Sequence, residues 1–397
     1  MWPVLFLFIP TLLIGSSFPL ISSLALKDSS SDGKTIGTVY FFNILGNVLG
    51  GIVTGFILLP IIGTELTLLI FSVIGLLFGF FVKKVSGFSM SISKRAVMVV
   101  ATIVVAVMIF PAGGELYKAM HVPPDEEHDT YFEEGVAGVV MTYENKEKEK
   151  VWNFINGVAH GARPEYMFYY EAAEAISYAQ KVENALVIGY GTGSIVEMAL
   201  KMDSLKKLKL VEINDALIKN LSKMDIFRDM LSDKRIDLVI DDGRRVLLNT
   251  DDKYDLIMID PLRSTSAYSN NIYSKQFFEL VKARLSPGGI FMVWRDEYRV
   301  LPKTVLAAFD YTKTYSFFSL ASNQPMKQYE SQRQKIMSTF SEEGRRRIAK
   351  WTDREWEHTD DLEYIENLVK DYPINEDWKP VAEYYLGLQF REKFLMK

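Results

Sequence analysis

The chain has 397 residues, 48% apolar and 24% charged, with a formal net charge of −5. That composition excludes a globally disordered chain and gives nucleic-acid binding no support. Cysteine is absent, so disulfides, thiolate metal sites and a cysteine nucleophile are excluded. The charge is unevenly spread. Residues 1–112 hold Lys27, Lys34, Lys83, Lys84, Lys94 and Arg95 against Asp28, Asp32 and Glu65, net +3, which leaves −8 for residues 113–397.

Residues 1–112 read as a membrane domain. A helix needs about 20 mostly apolar residues to cross about 30 Å of hydrocarbon. Four stretches reach or approach this: 2–26, 36–62, 66–82 and 96–112. Gly46, Gly50, Gly51 and Gly55 make small-xxx-small pairs that let helices approach closely in lipid. Asn43 and Asn47 lie one turn apart, where amides inside a membrane need partners. The four basic residues of 83–95 put that loop in the cytoplasm, so a spanning 96–112 would place the soluble part outside; a cytoplasmic soluble part needs 96–112 to be interfacial or re-entrant, or the charge bias to be overridden.

Residues 113–180 read as a lead-in, with Pro123-Pro124, an acidic patch at 125–129 and the run ENKEKEK at 144–150, a solvated turn. Then apolar strands at 185–188, 208–213, 236–240, 254–259 and 290–294 alternate with helices at 195–202, 215–224 and 274–285. This predicts a parallel, doubly wound α/β sheet, Rossmann-like, over 181–323, with ligands beyond the carboxyl ends of its strands.

The notable polar residues fall at those ends. Gly189, Gly191 and Gly193, with Tyr190 and Thr192 between them, permit a tight turn and close backbone approach. Glu212 ends the second strand, with Ile213 beside it, where a carboxylate can accept both ribose hydroxyls. Asp241, Asp242 and Gly243 end the third, Asp242 placed for an adenine amino group. Asp260 ends the fourth and faces the reaction centre. A dinucleotide site shares these features, but the loop lacks the third-glycine spacing of G-x-G-x-x-G. His121, His128, His160 and His358 are scattered without metal-ligand spacing, so no metal is expected. Residues 324–397 read as a charged helical extension whose GRRRIAKW stretch could meet anionic lipid.

The segments ALVIGYGTGS, KLVEIND, VIDDGRRVL, YDLIMIDP and IYSKQFFELVKARLSPGGIF follow in order within roughly residues 150–310. Together they resemble the spermidine synthase (polyamine aminopropyltransferase) family. PTLLIGSSFPL and TVYFFNILGNVLGGIVTGFILLPIIG resemble membrane segments of the class in which such domains are fused to N-terminal transmembrane helices. NEDWKPVAEYY is similar to a closing motif of that class. The resemblance implies a class I methyltransferase-type fold, a homo-oligomer, decarboxylated S-adenosylmethionine as donor and an amine acceptor. The glycine loop would line the donor, Glu212 hold the ribose and Asp242 the adenine. Asp260 would take a proton from the attacking amine. His160, Tyr169 and Tyr273 would lie in the substrate region, and the loop with Tyr268, Asn270 and Asn271 would close over it.

Two positions depart from the family pattern. Thr192 stands where the family carries an Asp for the aminopropyl ammonium. Arg263 stands where it carries an Asp for the acceptor amine, and a guanidinium about 4 Å from a diamine costs about 4 kcal/mol at an effective dielectric of about 20. Three readings stay open. The first is aminopropyl transfer to an amine other than ordinary putrescine. The second is methyl transfer from S-adenosylmethionine, with Arg263 facing a carboxylate on donor or acceptor. The third is a non-catalytic nucleoside sensor in the membrane. The expected setting is an integral, multi-pass membrane protein in contact with lipid, its soluble part in the cytoplasm.

Overall fold

The computed structural model describes residues 2–26, 32–81, 91–109, 113–122, 128–259, 266–295, 299–352 and 362–383. The chain divides into two units, Met1–Phe110 and Pro111–Lys397.

The first unit is helical: α1 (Trp2–Leu26), α2 (Asp32–Val53), α3 (Leu59–Phe81) and α4 (Ile92–Ile109). A π-helical turn, Thr54–Leu58, joins α2 directly to α3. Pro60 accounts for it, because it has no N–H to give the Phe56 carbonyl one turn back. The break expected at 62–66 falls at Gly63, where φ 77° and ψ 173° leave helical geometry and kink α3 into two helical pieces. Lys94 and Arg95, expected in a loop, lie in the first turn of α4. Among the described residues one run, Gly33–Gly75, is long and apolar enough to cross a membrane by length and composition. Its apolar side chains point outward: Phe56 is 75% exposed and Ile61 73%.

The second unit opens with α5 (Glu115–His121) and an antiparallel meander, β1 (His128–Gly135), β2 (Gly138–Asn145), β3 (Lys150–Ile155) and β4 (Val158–Arg163). Asn156-Gly157 turns β3 into β4 with both φ positive, 51° and 77°, the geometry a two-residue hairpin favours. The ENKEKEK run is the β2–β3 turn, where Asn145 Oδ1 accepts the Lys148 N–H at 2.8 Å. The buried helix α6 (Tyr166–Tyr178) follows.

The second sheet contains β5 (Asn184–Ile188), β6 (Lys207–Glu212), β7 (Ile236–Ile240), β8 (Tyr254–Ile259), β9 (Leu285–Trp294), β10 (Tyr311–Thr314) and β11 (Phe318–Ser322). Its order is β10-β11-β9-β8-β5-β6-β7. Strands β5 to β9 are parallel; β11 is antiparallel to β9 and to β10. This is the expected Rossmann-like α/β sheet, with one antiparallel strand, β11, that the parallel reading did not include. Both faces are covered, so alternate residues feed opposite cores: Val187 packs with Leu210 and Met258, while Leu186 and Ile188 pack with Val211 and Ile257. The chain runs from β5 to β6 and β7 on one side, then returns to β8 and β9 on the other. The order reverses between β5 and β8, where a crevice forms at the carboxyl ends.

Between these strands lie α7 (Ser194–Leu200), α8 (Asp215–Leu221), α9 (Asp225–Leu231), α10 (Gly243–Leu248), α11 (Asn270–Tyr273), α12 (Lys275–Arg284) and α13 (Val300–Ala308). Residues 324–383 are not only the solvated helical tail the sequence suggests. After helices Glu330–Ser338, Glu342–Thr352 and Leu362–Val369, the chain returns to the sheet. There Asn375, fully buried, takes the Ala382 N–H on Oδ1 and gives Nδ2 to the Tyr273 carbonyl.

Candidate functional site

A cavity of about 690 Å³ opens at the carboxyl ends of β5, β6 and β7, beside that reversal. Its volume lies in the range that suits a drug-sized ligand. Gly189, Gly191, Glu212, Ile213, Asp241, Asp242, Gly243 and His160 all line it.

The glycine loop turns because Gly189, Gly191 and Gly193 take φ of 90°, 53° and 73°, values side-chain-bearing residues avoid. Glu212 is anchored rather than free. Its Oε2 accepts the Tyr190 N–H and its Oε1 the Asn214 N–H, both at 2.8 Å. Each oxygen keeps lone-pair capacity for a ligand hydroxyl. Burial pushes the Glu212 carboxyl up, and the backbone donors offset this only in part. Asp242 caps α10 by accepting the Arg245 N–H at 2.8 Å. Its other oxygen accepts Asn271 Nδ2 at 2.7 Å. Arg245 holds the Asp241 carboxyl below the usual range. Gly243 lies against the end of β5: a Cβ there would fall 2.5 Å from Ile188 Cγ2.

Five of the expected residues point elsewhere. The Tyr190 side chain is buried, its hydroxyl reaching Met230 Sδ at 3.7 Å and its ring meeting Phe227 edge-on; only its backbone faces Glu212. Thr192 is buried, its hydroxyl 2.9 Å from Ser194 Oγ. Gly193 sits behind the loop, where a Cβ would meet the Tyr190 hydroxyl at 3.1 Å. Tyr169 belongs to a separate cluster, donating to Glu197 Oε2 at 2.7 Å. Tyr273 is fully buried in the core with Phe277 and Phe278. Asp260 and Arg263 lie outside the described residues.

The Glu197 cluster supports the loop from behind. Arg163 bonds Glu197 Oε2 at 2.7 Å and the Thr192 carbonyl at 3.2 Å, with Phe227 beneath its guanidinium. Burial alone would raise Glu197; Arg163, the Tyr169 hydroxyl and Lys201 outweigh it and hold the carboxyl below the usual range. A second support comes from the meander. Asn220 Nδ2 bonds Thr142 Oγ1, Thr142 bonds Asn153 Oδ1, and Asn153 Nδ2 reaches the Gly191 carbonyl at 3.3 Å.

Sequence reasoning missed the cavity's far wall. Arg244 binds Asp377 through both guanidinium nitrogens, at 2.8 and 2.5 Å, which holds Asp377 below the usual carboxylate range. Glu383 accepts the Tyr268 N–H at 2.9 Å and the Asn270 N–H at 3.4 Å. The closing motif thus forms one side of the site, and the loop after β8 forms another.

Residues 172–341 match the family model described as the spermine/spermidine synthase domain. A polyamine aminopropyltransferase of Prochlorococcus marinus is 34% identical over 128 residues, 31% of this chain and 45% of that protein. One of Saccharolobus islandicus is 32% identical over 119 residues, 29% of this chain and 39% of that protein. Residues 172–341 are spermidine-synthase-like. The chain spans less than half the length of either of these two relatives. A longer match, to the polyamine aminopropyltransferase of Oceanobacillus iheyensis, is 23% identical over 306 residues, 72% of this chain and 58% of that protein. A probable spermidine synthase from Corynebacterium glutamicum superposes at a TM-score of 0.48 with 14% identity, over 64% of this chain and 97% of that one. That likeness is too low to argue from. The spermidine-synthase-like match begins inside α6, so the meander and the first unit stand before it.

Proposed function

We propose that the second unit binds an adenosyl sulfonium donor, decarboxylated S-adenosylmethionine, and transfers its aminopropyl group to an amine. One observation carries this reading. The described lining of the cavity holds five carboxylates, of which Asp377 pairs with Arg244 and Asp241 with Arg245, leaving Glu212, Asp242 and Glu383 without an ion pair among the described residues. Such a wall suits a ligand carrying sulfonium and ammonium charge. It disfavours a ligand with its own carboxylate, because like charges in a partly dry site repel strongly. The methyl-transfer reading needs the carboxylated donor, so the same wall weighs against it. The polyamine aminopropyltransferases among the relatives point the same way.

In this reading the glycine loop takes the donor at backbone distance. Glu212 accepts the ribose hydroxyls with the lone pairs left by Tyr190 and Asn214. Asp242, steadied by Asn271, accepts from the adenine amino group, and Ile213 packs beside the base. Asp260, next in sequence after β8, takes the proton of the attacking amine. A free amine has a pKa of about 10 and needs such a base, or a desolvating pocket, to attack at neutral pH. The nitrogen then displaces the neutral thioether, methylthioadenosine, from the aminopropyl carbon, and the amine's proton leaves to the base.

The first unit is proposed as a multi-pass membrane anchor. Helices α1 to α4 have long uncharged stretches, and a run with Phe56 and Ile61 facing outward needs lipid or protein to cover it. Contact with lipid follows from that proposal; a cytoplasmic second unit requires in addition that α4 lie in the membrane interface or re-enter rather than cross, because the basic loop before it is already on the cytoplasmic side. The test of function is methylthioadenosine release, measured by mass spectrometry on the purified chain with decarboxylated S-adenosylmethionine and a panel of amines. Release with at least one amine supports transfer; donor binding without release from any amine supports the sensor reading instead.

A further inference from the structure

The cavity carboxylates do not all stand in the same condition. Arg244 binds Asp377 through two nitrogens, and Arg245 binds Asp241. Those two charges are neutralised by the protein itself. Glu212 and Asp242 sit at the ends of β6 and β7, where the proposed function assigns them to ribose and adenine. Glu383 remains. Its two bonds go to the backbone N–H groups of Tyr268 and Asn270, and no cation partners it among the described residues. Backbone donors orient a carboxylate without cancelling its charge. A lined cavity with one oriented, uncompensated carboxylate left over from nucleoside binding fits a second cationic group on the ligand.

We propose that Glu383 receives an alkylammonium, and so sets the cavity's preference for amine-bearing ligands. This rests on the nucleoside-donor reading above. Glu383 also pins the loop that carries Tyr268 and Asn270, so ammonium binding and loop position are linked through one side chain. The ammonium can come from the donor's aminopropyl arm or from the acceptor amine.

The variant Glu383→Gln separates charge from position. Its amide oxygen can keep the 2.9 Å bond from the Tyr268 N–H, while the charge is lost. Three titrations by calorimetry compare wild type and variant. They use methylthioadenosine, which has no ammonium; decarboxylated S-adenosylmethionine, which has one; and putrescine or spermidine added to protein saturated with methylthioadenosine. The expected result is unchanged methylthioadenosine affinity with about a tenfold or greater loss for one ammonium ligand. Loss for the donor places its aminopropyl arm at Glu383; loss for the amine places the acceptor there. Equal losses for all three ligands, or none, would overturn the assignment and leave Glu383 a loop support. If wild type binds neither nucleoside, the donor reading itself fails, and this inference with it.

Discussion

Changing Glu212 to Gln removes a buried charge but keeps the side chain's shape. In the wild type each carboxylate oxygen accepts one backbone N–H at 2.8 Å, from Tyr190 and from Asn214. Gln offers one oxygen. Whichever backbone group keeps it, the other then faces an amide NH₂, donor against donor. A bond to a charged acceptor contributes about 1.5–3 kcal/mol. A ribose that loses one such bond should bind about 10- to 150-fold more weakly. Calorimetry with methylthioadenosine reads this directly. The pH dependence adds a second arm. Burial raises the Glu212 carboxyl, so in the free protein its contribution to stability is full below the unfolded value and is lost as pH rises through the folded one. Ribose hydroxyls donate to the ionised form and favour it, so affinity should fall as pH drops through that raised value. The Gln variant should show no such fall. A change of less than about threefold at neutral pH, with the same pH profile as wild type, would refute the ribose assignment.

Gly243→Ala should lower the melting temperature and weaken nucleoside binding, because its Cβ would sit 2.5 Å from Ile188 Cγ2 and overpacking costs about 1–3 kcal/mol; an unchanged melting curve would contradict the close approach. Arg163→Leu should cost about 3 kcal/mol, since it strands Glu197 without its closest cation. The Glu197 carboxyl lies below its ordinary value in the fold, so its stabilisation is present above that value and is lost as pH falls through the lowered one. The variant should lose that part of the acid sensitivity in pH-dependent denaturation. Asp260→Asn should slow methylthioadenosine release by about 10²- to 10⁴-fold while donor affinity stays within about threefold; equal loss of both would move Asp260 from proton transfer to binding.

The parallel sheet was legible because its central strands are buried on both faces and read as short apolar runs, each ending in the acid or glycine that shapes the crevice. Other parts were hidden for identifiable reasons. β10, Tyr-Thr-Lys-Thr, is a polar edge strand with no apolar run to announce it. The meander did carry a signal, the Asn156-Gly157 hairpin turn, set between β3 and β4. Tyr273 packs with Phe277 in the core but lies on a different helix, with Ser274 extended between α11 and α12, so no helical spacing announces it. The starts of α2 and α4 were placed too late by cutting at charges, because Asp32, Lys34, Lys94 and Arg95 sit inside terminal turns. The return of the closing motif to the cavity could not be read locally. Asn375 reaches Tyr273 across 102 residues, and Asp377 reaches Arg244 across 133.

The aminopropyl-donor assignment is tested most directly by calorimetric affinity of the purified protein for decarboxylated S-adenosylmethionine against S-adenosylmethionine. The acid-lined cavity predicts tighter binding of the decarboxylated form, by about tenfold or more, because the other brings a carboxylate to a wall of carboxylates. Tighter binding of the carboxylated form would contradict it, and would point to methyl transfer or to a sensor of that nucleoside.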